Sequence, residues 1–124
     1  MPIAYWCILV AVVMPLVLAG YAKSGSHDNN TPRDDAEKLS GAKRRAYAAH
    51  QNAIENFPFF PIAVVAAISF GATTSTLNLL ALLYLAFRIA HALLYSADKA
   101  SLRSMAYAGA LFTNIAIFVL PAFK

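Results

Sequence analysis

The chain has 124 residues, 60% of them hydrophobic, and a positive mean hydropathy. Soluble domains carry roughly 45–50% apolar residues, so the composition excludes an ordinary soluble fold and points to one membrane-embedded domain. Ten Lys and Arg against six Asp and Glu leave a net charge of +4, but the basic residues flank apolar segments and no soluble body remains to present a nucleic-acid-binding face.

The first apolar segment spans residues 3–22, with Pro15 as a kink. It has no basic stretch before the apolar run and no convincing small-residue cleavage site, so it reads as a mature helix rather than a secretory signal. Cys7, the single cysteine, lies within it. One cysteine excludes an intrachain disulfide and a multi-cysteine metal site, and Cys7 reads as a small embedded hydrophobe. Residues 23–46 form a polar loop, KSGSHDNNTPRDDAEKLSGAKRR at its centre, rich in turn residues, with a short helix expected near residues 36–39. The triplet Asn29-Asn30-Thr31 fits a glycosylation pattern and reads as chance in a cytoplasmic loop.

The second segment, 47–71, is bent by Pro58 and Pro61; the third is 76–97 and the fourth 104–123. Each approaches the roughly 20 residues a helix needs to cross a bilayer. The expected fold is therefore an all-α bundle of four transmembrane helices. The first loop carries Lys23, Arg33, Lys38, Lys43, Arg44 and Arg45, and the loop between helices three and four carries Lys99 and Arg103. On the other side there is only Lys124. The excess of positive charge places both loops in the cytoplasm and both termini on the opposite side.

Glu55 and Arg88 are ionisable side chains inside long apolar stretches. A charge at membrane depth costs about 2.5–3.5 kcal/mol on insertion scales, so such a group normally faces a bundle interior and has a partner. Each sits about ten residues from the cytoplasmic end of its helix, roughly 15 Å deep. Equal depth and opposite sign predict an ion pair or shared polar pocket between helices two and three. Such a pair serves either a functional site or a purely structural clamp. Asn52 shares a helix face with Glu55. Arg88, His91 and Tyr95 follow an i, i+3, i+7 stripe. Arg103, Ser104 and Tyr107 stand at the expected start of helix four, where free N–H groups and the helix dipole favour an anion. Together they suggest a cavity open to the cytoplasm and suited to an anionic, polar ligand. Arg103 also reads as a headgroup anchor, and His91 alone as a core histidine. His50 reads as a surface or bundle histidine, Arg44 and Arg45 as topology determinants and lipid contacts. Thr113 and Asn114 are expected to hydrogen-bond between helices, and Ala106, Gly109 and Ala110 to allow close helix approach.

The stretch RRAYAAHQNAIENFPFF resembles the second-helix signature of the membrane-associated proteins in eicosanoid and glutathione metabolism. FRIAHALLYSADKASLRSMAYAGALF resembles the third helix, loop and fourth helix of that family, and NTPR in the first loop resembles its small bacterial members. The resemblance implies a four-helix subunit, a homotrimer in a bacterial inner membrane, and sites between subunits that bind glutathione and open to the cytoplasm. By that resemblance Asn52 and Glu55 contact the peptide, Arg88, His91 and Tyr95 line the pocket, and Arg103, Ser104 and Tyr107 lie near the thiol, with Arg103 and Ser104 as the catalytic pair. Family enzymes carry further arginines early in helix two, where this chain has Ala48 and Gln51. The implied function is a glutathione-dependent transferase or peroxidase acting on lipophilic electrophiles or hydroperoxides. The alternative is a non-catalytic lipid-binding or accessory subunit that keeps the fold. A transporter is disfavoured, because four helices with no internal repeat do not suggest alternating access.

Overall fold

A computed structural model describes residues 1–24 and 39–123. The expected short helix at 36–39, the Asn29-Asn30-Thr31 and NTPR motifs, Arg33, Lys38 and Lys124 fall wholly or largely outside them. The described chain is helical throughout its elements: α1 (Ile3–Ala22), α2 (Gly41–Asn56), α3 (Phe59–Ser69), α4 (Thr74–Ser96) and α5 (Ala100–Val119), ending in a 3-10 turn, Leu120–Phe123. Helices α2 and α3 are two halves of one bent span, so four helices are long and apolar enough to cross a membrane.

The apolar runs mark where helices are lipid-facing, not where they start. Helix α2 begins at Gly41, six residues before the apolar run, because Ser40 is extended and the polar turns after it are helical too. Helix α5 begins at Ala100, not at residue 104, and the Arg103 N–H already donates to the Lys99 carbonyl at 2.9 Å. The bend between α2 and α3 falls at Phe57 and Pro58, where Pro58 has no N–H for the Ile54 carbonyl. Pro15, by contrast, stays inside a continuous α1.

Two helix ends close in the same way. After α3, Gly71 has φ +82°, its N–H reaches the Ile68 carbonyl and the Ala72 N–H reaches Ala67. After α4, Asp98 has φ +63°, its N–H reaches Tyr95 and the Lys99 N–H reaches Leu94. Both are Schellman caps, which satisfy the last carbonyls of a helix through a left-handed residue.

The helices run up and down, and their ends are tied together. At one end the Lys43 ammonium donates to the Ser24 carbonyl (2.6 Å), Arg45 Nε donates to the Ser96 carbonyl (3.0 Å), and Lys23 lies over the Tyr47 ring. At the other, Asn78 Oδ1 accepts the Ala4 N–H at 3.0 Å, satisfying one of the unpaired donors that every helix start leaves. Helix α2 packs on α1 and α4, whereas α3, past the bend, packs mainly on α5; the α4–α5 contact is the most extensive.

At most 33% of any spanning window is buried inside the bundle, so the apolar surface faces outward. The interior is built from small side chains, among them Ala4, Ala11, Ala63, Ala67, Ala81 and Ala110, around Phe60, Val64, Leu77 and Ile117. Small residues let helices approach closely where lipid removes the usual hydrophobic drive. Gly109 is the tightest case: a Cβ there would sit 2.5 Å from the Phe87 ring. Cys7 is buried in this core.

Candidate functional site

The bend in the second span leaves Asn52 and Asn56, one turn apart, facing α4 and α5. Arg88 is 4% exposed, and its Nη2 donates to Asn52 Oδ1 at 2.8 Å. Asn56 Nδ2 donates to the Asn52 carbonyl (2.9 Å), and the Tyr107 hydroxyl donates to Asn56 Oδ1 (3.1 Å). One hydrogen-bonded chain thus joins α4, α2 and α5.

This corrects the expected pairing. Arg88 finds the Asn52 amide, not the Glu55 carboxylate, and Glu55 is exposed on the outer face of α2 together with Gln51, one turn before it. Depth alone matches Glu55 to Arg88, but rotation about the helix axis puts Glu55 outside the bundle and Asn52 inside.

Two chambers share Tyr107 in their walls. The outer one, toward the basic loops, has a volume of about 270 Å³ and is lined by Asn52, His91, Tyr95, Arg103, Ser104 and Tyr107. The Arg103 guanidinium stacks over the Tyr95 ring at 4.4 Å, a cation–π contact that holds it in place. His91 meets Tyr95 edge-on, with ring centroids 5.7 Å apart, and tilts against Tyr107 at 5.9 Å. His91 Nδ1 is buried without a hydrogen-bond partner among the described residues. The inner chamber, about 310 Å³, has Arg88, Tyr84, Asn56, Tyr107 and Asn114 among its polar walls and Phe59, Leu111 and Ile115 among its apolar ones.

Six of the eight residues singled out from the sequence therefore share the outer chamber. Arg88 stands in the inner one, connected through Asn52, and Glu55 lines neither. Arg103 lies in the first turn of α5 rather than ahead of it, so its own N–H is committed to the helix. Sequence reasoning missed Asn56 and Tyr84 and read Asn114 only as an interhelical hydrogen-bonding residue, although the pattern held all three: Asn56 is i+4 from Asn52, Tyr84 is i−4 from Arg88, and Asn114 is i+7 from Tyr107. Among the described residues, the expected interhelical bonds of Thr113 and Asn114 are not made. Thr113 Oγ1 donates back to the Gly109 carbonyl (2.7 Å), and Asn114 Oδ1 is buried without a partner. His50 is a bundle histidine, its Nδ1 2.8 Å from the Pro15 carbonyl of α1.

A four-span bundle with a polar chamber near one end, lined from its second, third and fourth spans, defines an integral membrane protein with a polar cavity among its helices. The sequence profile of the MAPEG family matches residues 3–123, nearly the whole chain, and the chain belongs to that family. No curated protein and no solved structure matches it at a significant level.

Proposed function

We propose that this protein is a membrane-bound, glutathione-dependent transferase or peroxidase acting on lipophilic electrophiles or hydroperoxides, and that the outer chamber is its glutathione site. The observation that carries this reading is the convergence of Arg103, Ser104, Tyr95, His91, Tyr107 and Asn52 on one cavity. The donor set fits a peptide with two carboxylates and a thiol. Arg103 offers a fixed cation, Ser104 and the tyrosines offer hydroxyls, and His91 Nδ1 is a buried ring nitrogen in need of a partner.

Glutathione, when bound, supplies a thiol that acts as nucleophile in its thiolate form. Arg103, held over Tyr95, stabilises negative charge at the chamber's mouth. Ser104 is exposed one residue on, placed to donate a hydrogen bond to the same charge. Asn52 positions peptide groups while its Oδ1 is anchored by Arg88.

A volume of about 270 Å³ lies just below the range of about 300–1,000 Å³ usual for small-molecule sites, so one subunit encloses only part of a tripeptide. Glu55, exposed within a spanning segment, likewise demands a polar neighbour. Both observations support an oligomer in which an adjoining subunit completes the wall and receives Glu55, and membership of the family supports a homotrimer as that oligomer. The basic loops would then face the cytoplasm of a bacterial inner membrane.

The second reading, a non-catalytic lipid-binding or accessory subunit, is favoured by Ala48 and Gln51, which supply no cation to a bound carboxylate. Calorimetry on the detergent-purified protein separates the two. The enzyme reading expects glutathione to bind, and the bound sulfur to show thiolate ultraviolet absorbance that Arg103→Ala removes while most affinity survives. Loss of affinity with unchanged absorbance would make Arg103 a carboxylate clamp. No binding by the parent protein would leave the accessory reading standing.

A further inference from the structure

The inner chamber contains a polar group that the outer site does not use. Asn114 lines it, and the amide Oδ1 is buried with no donor among the described residues. Leaving a buried acceptor unpaired costs free energy that a suitable ligand group recovers. Across the same cavity stand Tyr84, buried and stacked on Phe60 with ring centroids 4.1 Å apart, and the Arg88 guanidinium. The remaining wall includes Phe59, Leu111 and Ile115, all exposed on the bundle's outer face, so the chamber opens to the apolar side of the molecule.

We propose that the inner chamber is a specificity site for neutral lipophilic molecules bearing a hydroxyl, and that Asn114 is the residue that selects them. A hydroxyl both donates and accepts. It satisfies Asn114 and at the same time accepts from Tyr84 or Arg88, while its apolar body lies against Phe59, Leu111 and Ile115. A carboxylate is acceptor-only, so with the amide oriented as it is here it brings no donor to Asn114 Oδ1. An ether or a bare hydrocarbon has no donor at all. The cavity, about 310 Å³, lies at the small end of ligand sites, which suits a compact ring system rather than a long folded chain. The site draws on Asn114, Tyr84 and Leu111, none of which lines the outer chamber, so occupancy is measurable without glutathione.

The test uses the full-length protein in lipid nanodiscs, with empty nanodiscs to subtract partitioning. The ligands are 2-naphthol, 2-methoxynaphthalene and 2-naphthoate, and binding is read from naphthalene fluorescence with no glutathione present. The parent should bind 2-naphthol about tenfold more tightly than 2-methoxynaphthalene, the worth of one hydrogen bond to an otherwise unpaired group. Asn114→Leu, similar in volume, should bring the two within twofold by weakening 2-naphthol alone. Equal affinities in the parent, a preference that survives Asn114→Leu, or 2-naphthoate as the tightest ligand would overturn the proposal. Leu111→Trp, at an exposed position, keeps the test decisive if Asn114→Leu does not fold: it should weaken both neutral ligands, and unchanged binding would show that the chamber is not the site. Glutathione titration of the same samples is a separate readout, so failure of the glutathione reading and failure of this one are distinguishable.

Discussion

Removing Asn52 should strip Arg88 of its partner inside the bundle, whereas removing Glu55 should not. Arg88 is 4% exposed and its guanidinium makes the 2.8 Å contact to Asn52 Oδ1. Hydrogen bonds to charged groups contribute about 1.5–3 kcal/mol each. Asn52→Leu keeps the volume roughly constant and deletes the acceptor, so a loss of that size is expected. A double-mutant cycle isolates the pair. Coupling between Asn52→Leu and Arg88→Met should be about 1.5–3 kcal/mol, because the guanidinium and the amide are lost together in the double variant. The parallel cycle of Glu55→Ala and Arg88→Met should give coupling below about 0.5 kcal/mol within one subunit. Denaturant unfolding in mixed micelles supplies the free energies. Running it at two protein concentrations separates subunit stability from any loss of assembly caused by Glu55→Ala. Strong coupling of Glu55 to Arg88 at both concentrations, with none for Asn52, would refute the reasoning and restore the ion pair.

The geometry sets three further outcomes. Gly109→Ala places a Cβ 2.5 Å from the Phe87 ring and should destabilise by about 1–3 kcal/mol, with Phe87→Leu relieving most of the loss in thermal unfolding. Asp98→Gly should stabilise by about 0.5–1 kcal/mol, because a left-handed residue at φ +63° carries no penalty as glycine; an unchanged or lower melting temperature would count against the cap. A reporter fused after Lys124 should be active only outside the cytoplasm, and cytoplasmic activity would invert the proposed orientation.

The fold class was legible because lipid imposes a coarse rule: four apolar stretches of spanning length can only be helices. Helix starts were less legible. Gly41-Ala42-Lys43-Arg44-Arg45 is as helical as the apolar turns beyond it, but its polarity belongs to the interface, and hydropathy reports the lipid boundary rather than the backbone. The site was legible as stripes. Spacing grouped His91 with Tyr95, because residues on one helix face meet the same cavity, and position at the start of the last span grouped Arg103, Ser104 and Tyr107. Spacing cannot fix the rotation of one helix against another. Asn52 and Glu55 are three residues apart, and the arc between them is enough to put one against Arg88 and the other outside. Asn114 was misread because an asparagine in a spanning helix usually finds a partner, and the Oδ1 of this one has none among the described residues.

The bend at Phe57 and Pro58 has a mechanical consequence. It divides the second span into two levers with different anchors, α2 fastened to α1 and α4, and α3 to α5. Asn56 and Phe59, the residues on either side of the joint, both line the inner chamber. Helix α3 has 11 residues, so it is roughly 16 Å long, and a turn of about 10° at the joint carries its far end through about 3 Å. Asn56 and Phe59 thus put the inner chamber next to the joint, while Asn52, a full helical turn before it, belongs to α2 and the outer chamber. The proline at the joint thus sets the break in the second span beside the cavity that faces the apolar side, and Tyr107, bonded to Asn56 there, links that break to the chamber at the basic end.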